Sequence, residues 1–229
     1  MTSSGASPFA LASELTWRGE ARLAAASQGS LYIIPASGQH VIRFVVASGE
    51  CEEIDLPRAS AQHSAHALFV DPHAGLSLLV ATRGGENIYV HRSRSRVIGK
   101  MKGVVVTAMA WLRPDGPASR AADGPREVLI CSSSGAIYEA VIEPQRTRYL
   151  KQLLVLSPAR PIHGVQVELL AASSQEERRV FVMVATATRC YEFVGGPSFE
   201  SLFAEYKGAT LAFVEARNTR PALAHLFPL

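Results

Sequence analysis

The chain has 229 residues, is 48% apolar, and carries a formal net charge of only +3 from 23 basic and 20 acidic side chains. That is enough apolar material for a substantial core. The near-balance of charge does not call for nucleic acid, whose binders usually concentrate basic charge on one face, and no stretch approaches the roughly 20 apolar residues of a bilayer span. Cys51, Cys131 and Cys190 are odd in number and far apart. They spell out neither a disulfide framework nor a zinc knuckle, so a reducing compartment is the simpler setting.

Residues 1–29 are rich in Ser and Ala and lack the basic start and apolar heart of a secretory signal. Glu14 is their first acid, which gives them some flavour of an organelle transit peptide, and they are expected to form a flexible leader. Short β-branched runs follow, bounded by Gly, Pro and Ser, as in a strand meander. The first group is Leu31 to Ile34, Val41 to Val46 and Glu52 to Leu56. The second is Ala67 to Val70, Leu76 to Thr82, Asn87 to His91 and Val97 to Met101. Between its first two strands, Asp71-Pro72-His73-Ala74-Gly75 is a turn in which Pro72 presets φ and Gly75 permits a positive one.

The third group is Val105 to Leu112, Glu127 to Cys131, Ala136 to Ile142 and Tyr149 to Leu156. The fourth is His163 to Leu170, Arg179 to Thr186, Cys190 to Val194 and a final short segment. Arg113 to Arg126 and Ala171 to Arg179 lack apolar periodicity and are expected to be exposed loops. Phe199, Leu202, Phe203 and Tyr206 stand at i, i+3, i+4 and i+7 behind Ser198, which predicts a short capped helix. Residues 207–229 begin with a possible strand and then lose all pattern, a divergent or truncated tail.

One grammar recurs through these groups. An apolar strand ends in small hydroxyl or alanine residues, a tight turn follows, and the next strand carries a tyrosine. Thr82, Ser132 and Thr186 mark its three copies at intervals of about 50 residues, close to one propeller blade with loop insertions. Leu76 to Ala81 and Val180 to Ala185 are apolar on both faces, which suits strands sandwiched between neighbouring sheets. The expectation is an all-β chain: a partial, about four-blade β-propeller of antiparallel four-stranded sheets over 30–206, with a short helix near the C-terminus. If the parent ring holds more blades than this chain can form, the last blade is left bare and the chain self-associates.

Chemistry-bearing constellations are sparse. A hydrolytic propeller needs carboxylates and histidines converging on its channel, yet Asp71, Asp115 and Asp123 sit in turn or loop grammar, leaving Asp55. Glu52-Glu53 and Glu176-Glu177 are adjacent, so on a strand they point to opposite faces. His63, His66 and His73 lack a fixed scaffold or a fourth zinc ligand, and Gly84-Gly85 alone is a turn. The one charged constellation is Arg92, Arg94 and Arg96, followed by Lys100 and Lys102. Extended, the three arginines share a face as an anion-binding comb; the alternative is a solvated hairpin tip whose like charges protect an edge strand. No catalytic, cofactor-binding or metal-ligating residue is assigned and no cofactor is expected.

The run FVDPHAGLSLLVATRGGENIYVH, Phe69 to His91, resembles the signature of the vacuolar protein sorting-associated protein 18 family, also called deep orange. So, in order, do Lys102-Gly103, Val106 to Trp111, Ile130 to Glu139, Tyr149 to Gln152, Pro161 to Gly164, Thr186 to Gly195, and Phe199, Leu202-Phe203 and Tyr206. The resemblance implies the amino-terminal β-propeller of a core subunit of the HOPS and CORVET tethering complexes, not an enzyme. It implies partners among the other subunits of the class C core, SNAREs or small GTPases reached through the complex, peripheral or indirect membrane contact, and no nucleic acid. The implied location is cytoplasmic, at the late endosome, lysosome or vacuole membrane. Competing readings are a propeller-fold hydrolase and a basic-patch module for nucleic acid or lipid.

Overall fold

The computed structural model describes residues 19–57, 64–112, 124–170 and 179–215. They form four four-stranded antiparallel meanders. The first sheet is β1 (Ala21–Ser27), β2 (Ser30–Pro35), β3 (His40–Val45) and β4 (Cys51–Asp55), and the second is β5 (Ala65–Val70), β6 (Ser77–Thr82), β7 (Ile88–His91) and β8 (Arg94–Val97). The third is β9 (Val106–Trp111), β10 (Arg126–Ser132), β11 (Ala136–Ile142) and β12 (Thr147–Val155). The fourth is β13 (Ile162–Leu170), β14 (Arg179–Thr186), β15 (Arg189–Gly195) and the two-residue β16 (Val214–Glu215). The first strands pack in sequence, β1 on β5, β5 on β9 and β9 on β13, so they are the inner strands of a propeller arc.

Period-two patterning builds the seams between sheets. Every residue of β6 is buried. Leu78 and Val80 join Tyr32, Ile34, Val41 and Ile54 in the seam with the first sheet. Leu79 and Ala81 face the other way and pack with Val106, Val128 and Ile130 of the third. In β10 the alternation repeats, with Leu129 and Cys131 turned toward Val180, Val182 and Val184 of the fourth sheet. Helix α1 (Phe199–Ala204) closes this last seam with Phe199, Leu202 and Phe203. Ser198 caps it, accepting from the Ser201 amide at 3.2 Å, and Tyr206 stands edge-on to Phe193 at 5.0 Å.

The small hydroxyl residues of the repeat hold its turns. Thr82 donates to the Glu86 carbonyl at 2.7 Å, Ser132 to Ala136 at 3.2 Å and Thr186 to Arg189 at 3.2 Å. Gly85 and Gly135 then let the turn approach the next sheet. With φ of +74° and +80°, each would set a Cβ 2.8 Å from main-chain atoms of Gly103 and Arg160 respectively.

Opposite the same hydroxyl positions, the inner strands bulge. Ala65 pairs with Thr82 and Ala67 with Ala81, leaving His66 extra. Thr107 is extra in β9, and His163 in β13. The extra side chain clasps the next sheet: His66 Nε2 lies 2.8 Å from the Val106 carbonyl, and the Thr107 hydroxyl donates to that of Ile162.

At the opposite end of β5, Asp71 ties three sheets together. Its Oδ1 accepts from the His73 amide at 2.9 Å, the turn role expected of it. Its Oδ2 is 2.9 Å from Arg126 Nε, with both side chains buried. From the first sheet, Ser27 and Gln28 donate to the carbonyls of Asp71 and Pro72 at 3.0 and 2.6 Å. Tyr32 donates to Gly75.

Three expectations change. Ala21–Ser27 lies within the expected leader but forms β1, pairing with β2 through a two-residue Gln28-Gly29 turn in which both φ are positive. Alanine has weak strand propensity, but the alternating Leu23 and Ala25 fit the seam side. Val97 to Met101 is not one strand: β8 ends at Val97 and Gly99–Met101 is a 3-10 turn, because Asn87 Nδ2 draws in the carbonyls of Met101 and Val104 at 3.3 and 2.8 Å. Arg126 is no loop residue; it opens β10 and is buried. Residues 1–18, most of both expected loops and residues 216–229 lie outside the described residues.

The clasps lend themselves to two measurements. Asp71→Ala should cost about 3–5 kcal/mol by removing the carboxylate that faces the buried Arg126 cation, and adding Arg126→Met should recover part of it; denaturant unfolding of the double-mutant cycle measures both. Burial holds the His66 imidazolium below the usual value of 6.5, with the Val106 bond opposing and Arg83 adding to the effect. The unfolded chain therefore binds that proton more readily than the native one. The His66 contribution is complete above about pH 6.5 and is lost as pH falls below it, and His66→Asn should flatten that slope in urea titrations.

Candidate interaction surface

The candidate chemical residues are dispersed by the fold. Asp55 is exposed at the end of β4, and its carbonyl accepts from Ser95 at 2.5 Å. Glu52 faces Arg43 at 3.9 Å while Glu53 points to the other side of the strand. His66 is engaged in its clasp and His73 is exposed at the Asp71 turn. His63, Asp115, Asp123, Glu176 and Glu177 lie outside the described residues. Among the described residues no three metal-ligating side chains come together, and no helix is long and apolar enough to cross a membrane. Cys131 is wholly buried, and burial pushes its thiol up so that it stays protonated.

The arginine comb is taken apart. Arg92 and Ser93 form the two-residue turn between β7 and β8, with Arg92 at φ +52° and His91 pairing with Arg94. The three arginines therefore share no extended face. Arg96 lies across the seam instead: its Nε and Nη2 donate to the carbonyls of Pro144 and Glu143 at 3.1 and 2.8 Å. Its guanidinium also stacks 5.2 Å from the Tyr89 ring centre. Lys100 donates to the Arg148 carbonyl at 2.7 Å. Two of these positive charges, Arg96 and Lys100, thus fasten the outer edge of the second sheet to the β11–β12 hairpin. Sequence spacing could not show this, since the partners lie some 47 residues away.

What faces outward is a mixed rim. Arg146 and Arg148 bracket Glu143 at 2.8 and 2.5 Å, and the bond from Arg146 leads in holding that carboxyl below the usual range. On β12, Tyr149 donates to Glu139 Oε1 at 3.2 Å. Burial pushes both Glu139 and Tyr149 upward, and Lys151 reaches Glu200 of α1 at 2.5 Å. Tyr149, Val155, Leu170, Val194, Phe213 and Val214 are exposed apolar residues. Paired charges beside the exposed Tyr149 ring suit contact with another protein surface. The Asp71–Arg126 pair, which organises the interior, went unseen in the sequence because turn grammar explains only one of the Asp71 oxygens.

Arg96→Ala should cost about 2 kcal/mol, since a charged donor on two carbonyls and a ring contact are lost. Arg94→Ala, on an exposed residue, should stay within about 0.5 kcal/mol. Denaturant midpoints of the two variants test the contrast.

Comparison with known proteins fits this geometry. The Pep3/Vps18/deep orange beta-propeller domain model matches residues 22–228. That match begins inside the expected leader and runs through the expected tail. Vacuolar sorting protein 18 of Arabidopsis thaliana is 27% identical over 203 residues, 86% of this chain. The chain spans 20% of that relative's length. A solved structure of the fission yeast SREBP-SCAP binding domains aligns with a TM-score of 0.51 over 92% of this chain and 52% of that one, at 11% identity, a likeness of fold alone. With its four sheets covered by one family model, the chain belongs to the Pep3/Vps18/deep orange beta-propeller family.

Proposed function

We propose that this chain is a non-catalytic scaffold module of a HOPS/CORVET-type membrane-tethering complex. It acts in vesicle docking, fusion and protein sorting between endosome and vacuole or lysosome. The observation that carries this reading is the family match over residues 22–228, and the similarity to a plant vacuolar sorting protein supports it. The fold agrees in kind: apolar residues are consumed in seams, and His66 and Asp71 are spent on a clasp and a turn. The rim where Glu143, Arg146, Arg148, Tyr149 and Lys151 lie together offers a surface for a partner.

On this reading the partners are the other subunits of the class C core, with SNAREs and small GTPases reached through the complex. The module works on the cytoplasmic side of late endosome, lysosome or vacuole membranes and touches them only peripherally.

A domain exchange tests it. Replacing the matched 203-residue region of the Arabidopsis protein with residues 22–228 of this chain should give a chimera that still co-purifies with the other core subunits. The chimera should also restore vacuolar sorting in cells lacking their own copy. A stable, well-expressed chimera that binds none of those subunits and restores no sorting would overturn the proposal.

A further inference from the structure

At the bulged end of the inner strands, hairpin turns are pressed against the linkers that lead from sheet to sheet. The Gly103 amide donates to the Gly85 carbonyl at 3.1 Å, and the Ser133 amide donates to the Val105 carbonyl at 3.0 Å. A Cβ on Gly135 would meet the main chain of Arg160, whose guanidinium reaches the Thr188 hydroxyl at 3.4 Å. These contacts join the turns and linkers of the second, third and fourth sheets into one continuous band.

The charges along the band are mostly of one sign. Arg83 and Lys102 are exposed and meet no carboxylate among the described residues. Arg160 is half-buried and touches only a hydroxyl, while Arg189 already lies over the Phe213 ring at 3.8 Å. Within the band Glu86 is the acid, and it is half-buried. Other acids of this end stand at the margins: Glu20 and Asp55 on the first sheet and Glu215 on β16. After burial, Arg83 is the group that opposes protonation of His66, so its charge bears on the inner side of the band. The exposed hydroxyls of Ser133 and Ser134 stand between Lys102 and Arg160.

Lys102 and Arg160 hold equivalent places, each in the linker that the turn glycine of its own sheet meets, Gly85 at Gly103 and Gly135 at Arg160. Packed sheets stand about 10 Å apart, the length of about three residues of extended chain. We propose that this band binds an extended acidic segment of a partner protein, with carboxylates three residues apart on Lys102 and Arg160. Arg83 is the flanking cation, and the Ser133 hydroxyl meets the main chain of the segment. Charge complementarity selects an acidic ligand, and the fixed spacing of the two cations favours a chain of regular repeat over headgroups that move freely in a bilayer. The band lies at the other end of the strands from the β11–β12 turn, so its ligand does not depend on what the rim contacts.

Fluorescence anisotropy on the 229-residue chain tests this with two labelled peptides of identical composition, built from Asp, Gly and Ser. One carries aspartate at every third position, and the other carries the same aspartates in a single block. The spaced peptide should bind, and the block peptide should bind several-fold more weakly. Lys102→Glu with Arg160→Glu should weaken binding of the spaced peptide by about tenfold or more. Arg94→Glu with Arg146→Glu, at the other end of the strands, should change it by less than about twofold. Melting temperatures show whether each variant is folded. Should the reversals at Lys102 and Arg160 fail to fold, Lys102→Gln with Arg160→Gln should still weaken binding by about threefold or more. Equal binding of the two peptides, an equal loss from both pairs of reversals, or no binding to the wild type overturns the proposal. Binding of the wild type to phosphatidylserine vesicles in place of the peptide also overturns it, since a membrane is then the occupant.

Discussion

Because β6 is buried along its entire length, its alternate residues must find different neighbours, and no single four-stranded sheet can supply both. Leu78 and Val80 need the first sheet, while Leu79 and Ala81 need the third. This two-sided demand makes the array obligatory: each sheet is covered only if another stands on either side. At roughly 25 cal/mol for each Å² of apolar surface removed from water, a seam outweighs any single polar contact in the molecule. The polar contacts accordingly decide something else, namely the angle and register at which the sheets meet.

Two kinds of contact do so, at opposite ends of the inner strands. At one end, bulged residues reach across to the next inner strand, and His66 and Thr107 meet the same type of carbonyl despite their different chemistry. At the other, Asp71 and Arg126 form an ion pair inaccessible to water. A buried pair adds little net stability over well-packed apolar residues, since desolvation offsets most of the Coulomb attraction. Its geometry is nevertheless demanding: Asp71 must cap its own turn through Oδ1 and receive Arg126 through Oδ2. A sliding of the third sheet by one residue would part these two buried charges, so the pair penalises wrong registers far more than it rewards the right one.

The legibility of the sequence follows this division. Runs such as Leu78–Ala81 and Val128–Cys131 announce their strands because burial on both faces demands apolar, mostly branched residues. Small hydroxyls at Thr82, Ser132 and Thr186 mark the turns because local geometry needs a short acceptor and donor there. Family resemblance named the architecture and its relatives. What stayed hidden is long-range or permissive. Strand β1 was missed because Ala24, Ala25 and Ala26 carry almost no conformational signal and are committed only by pairing with β2. Arg126 looked like the end of a polar loop, since its partner lies 55 residues earlier.

The fate of the arginines shows why charge pattern alone misjudges a propeller surface. Arg92, Arg94 and Arg96 look like a comb only if the chain is straight, and the turn at Arg92 and Ser93 bends it away. Once folded, Arg96 spends its hydrogen bonds on main-chain carbonyls of the neighbouring sheet and its flat face on Tyr89. A guanidinium so occupied has little left for a phosphate. The groups still facing water are paired charges such as Glu143 with Arg146 and Arg148, beside exposed Tyr149. Such a rim mixes charges of both signs, already paired with one another, and offers donors, acceptors and an aromatic ring at fixed positions. That combination suits recognition by a folded protein of matching shape better than by a flexible charged polymer.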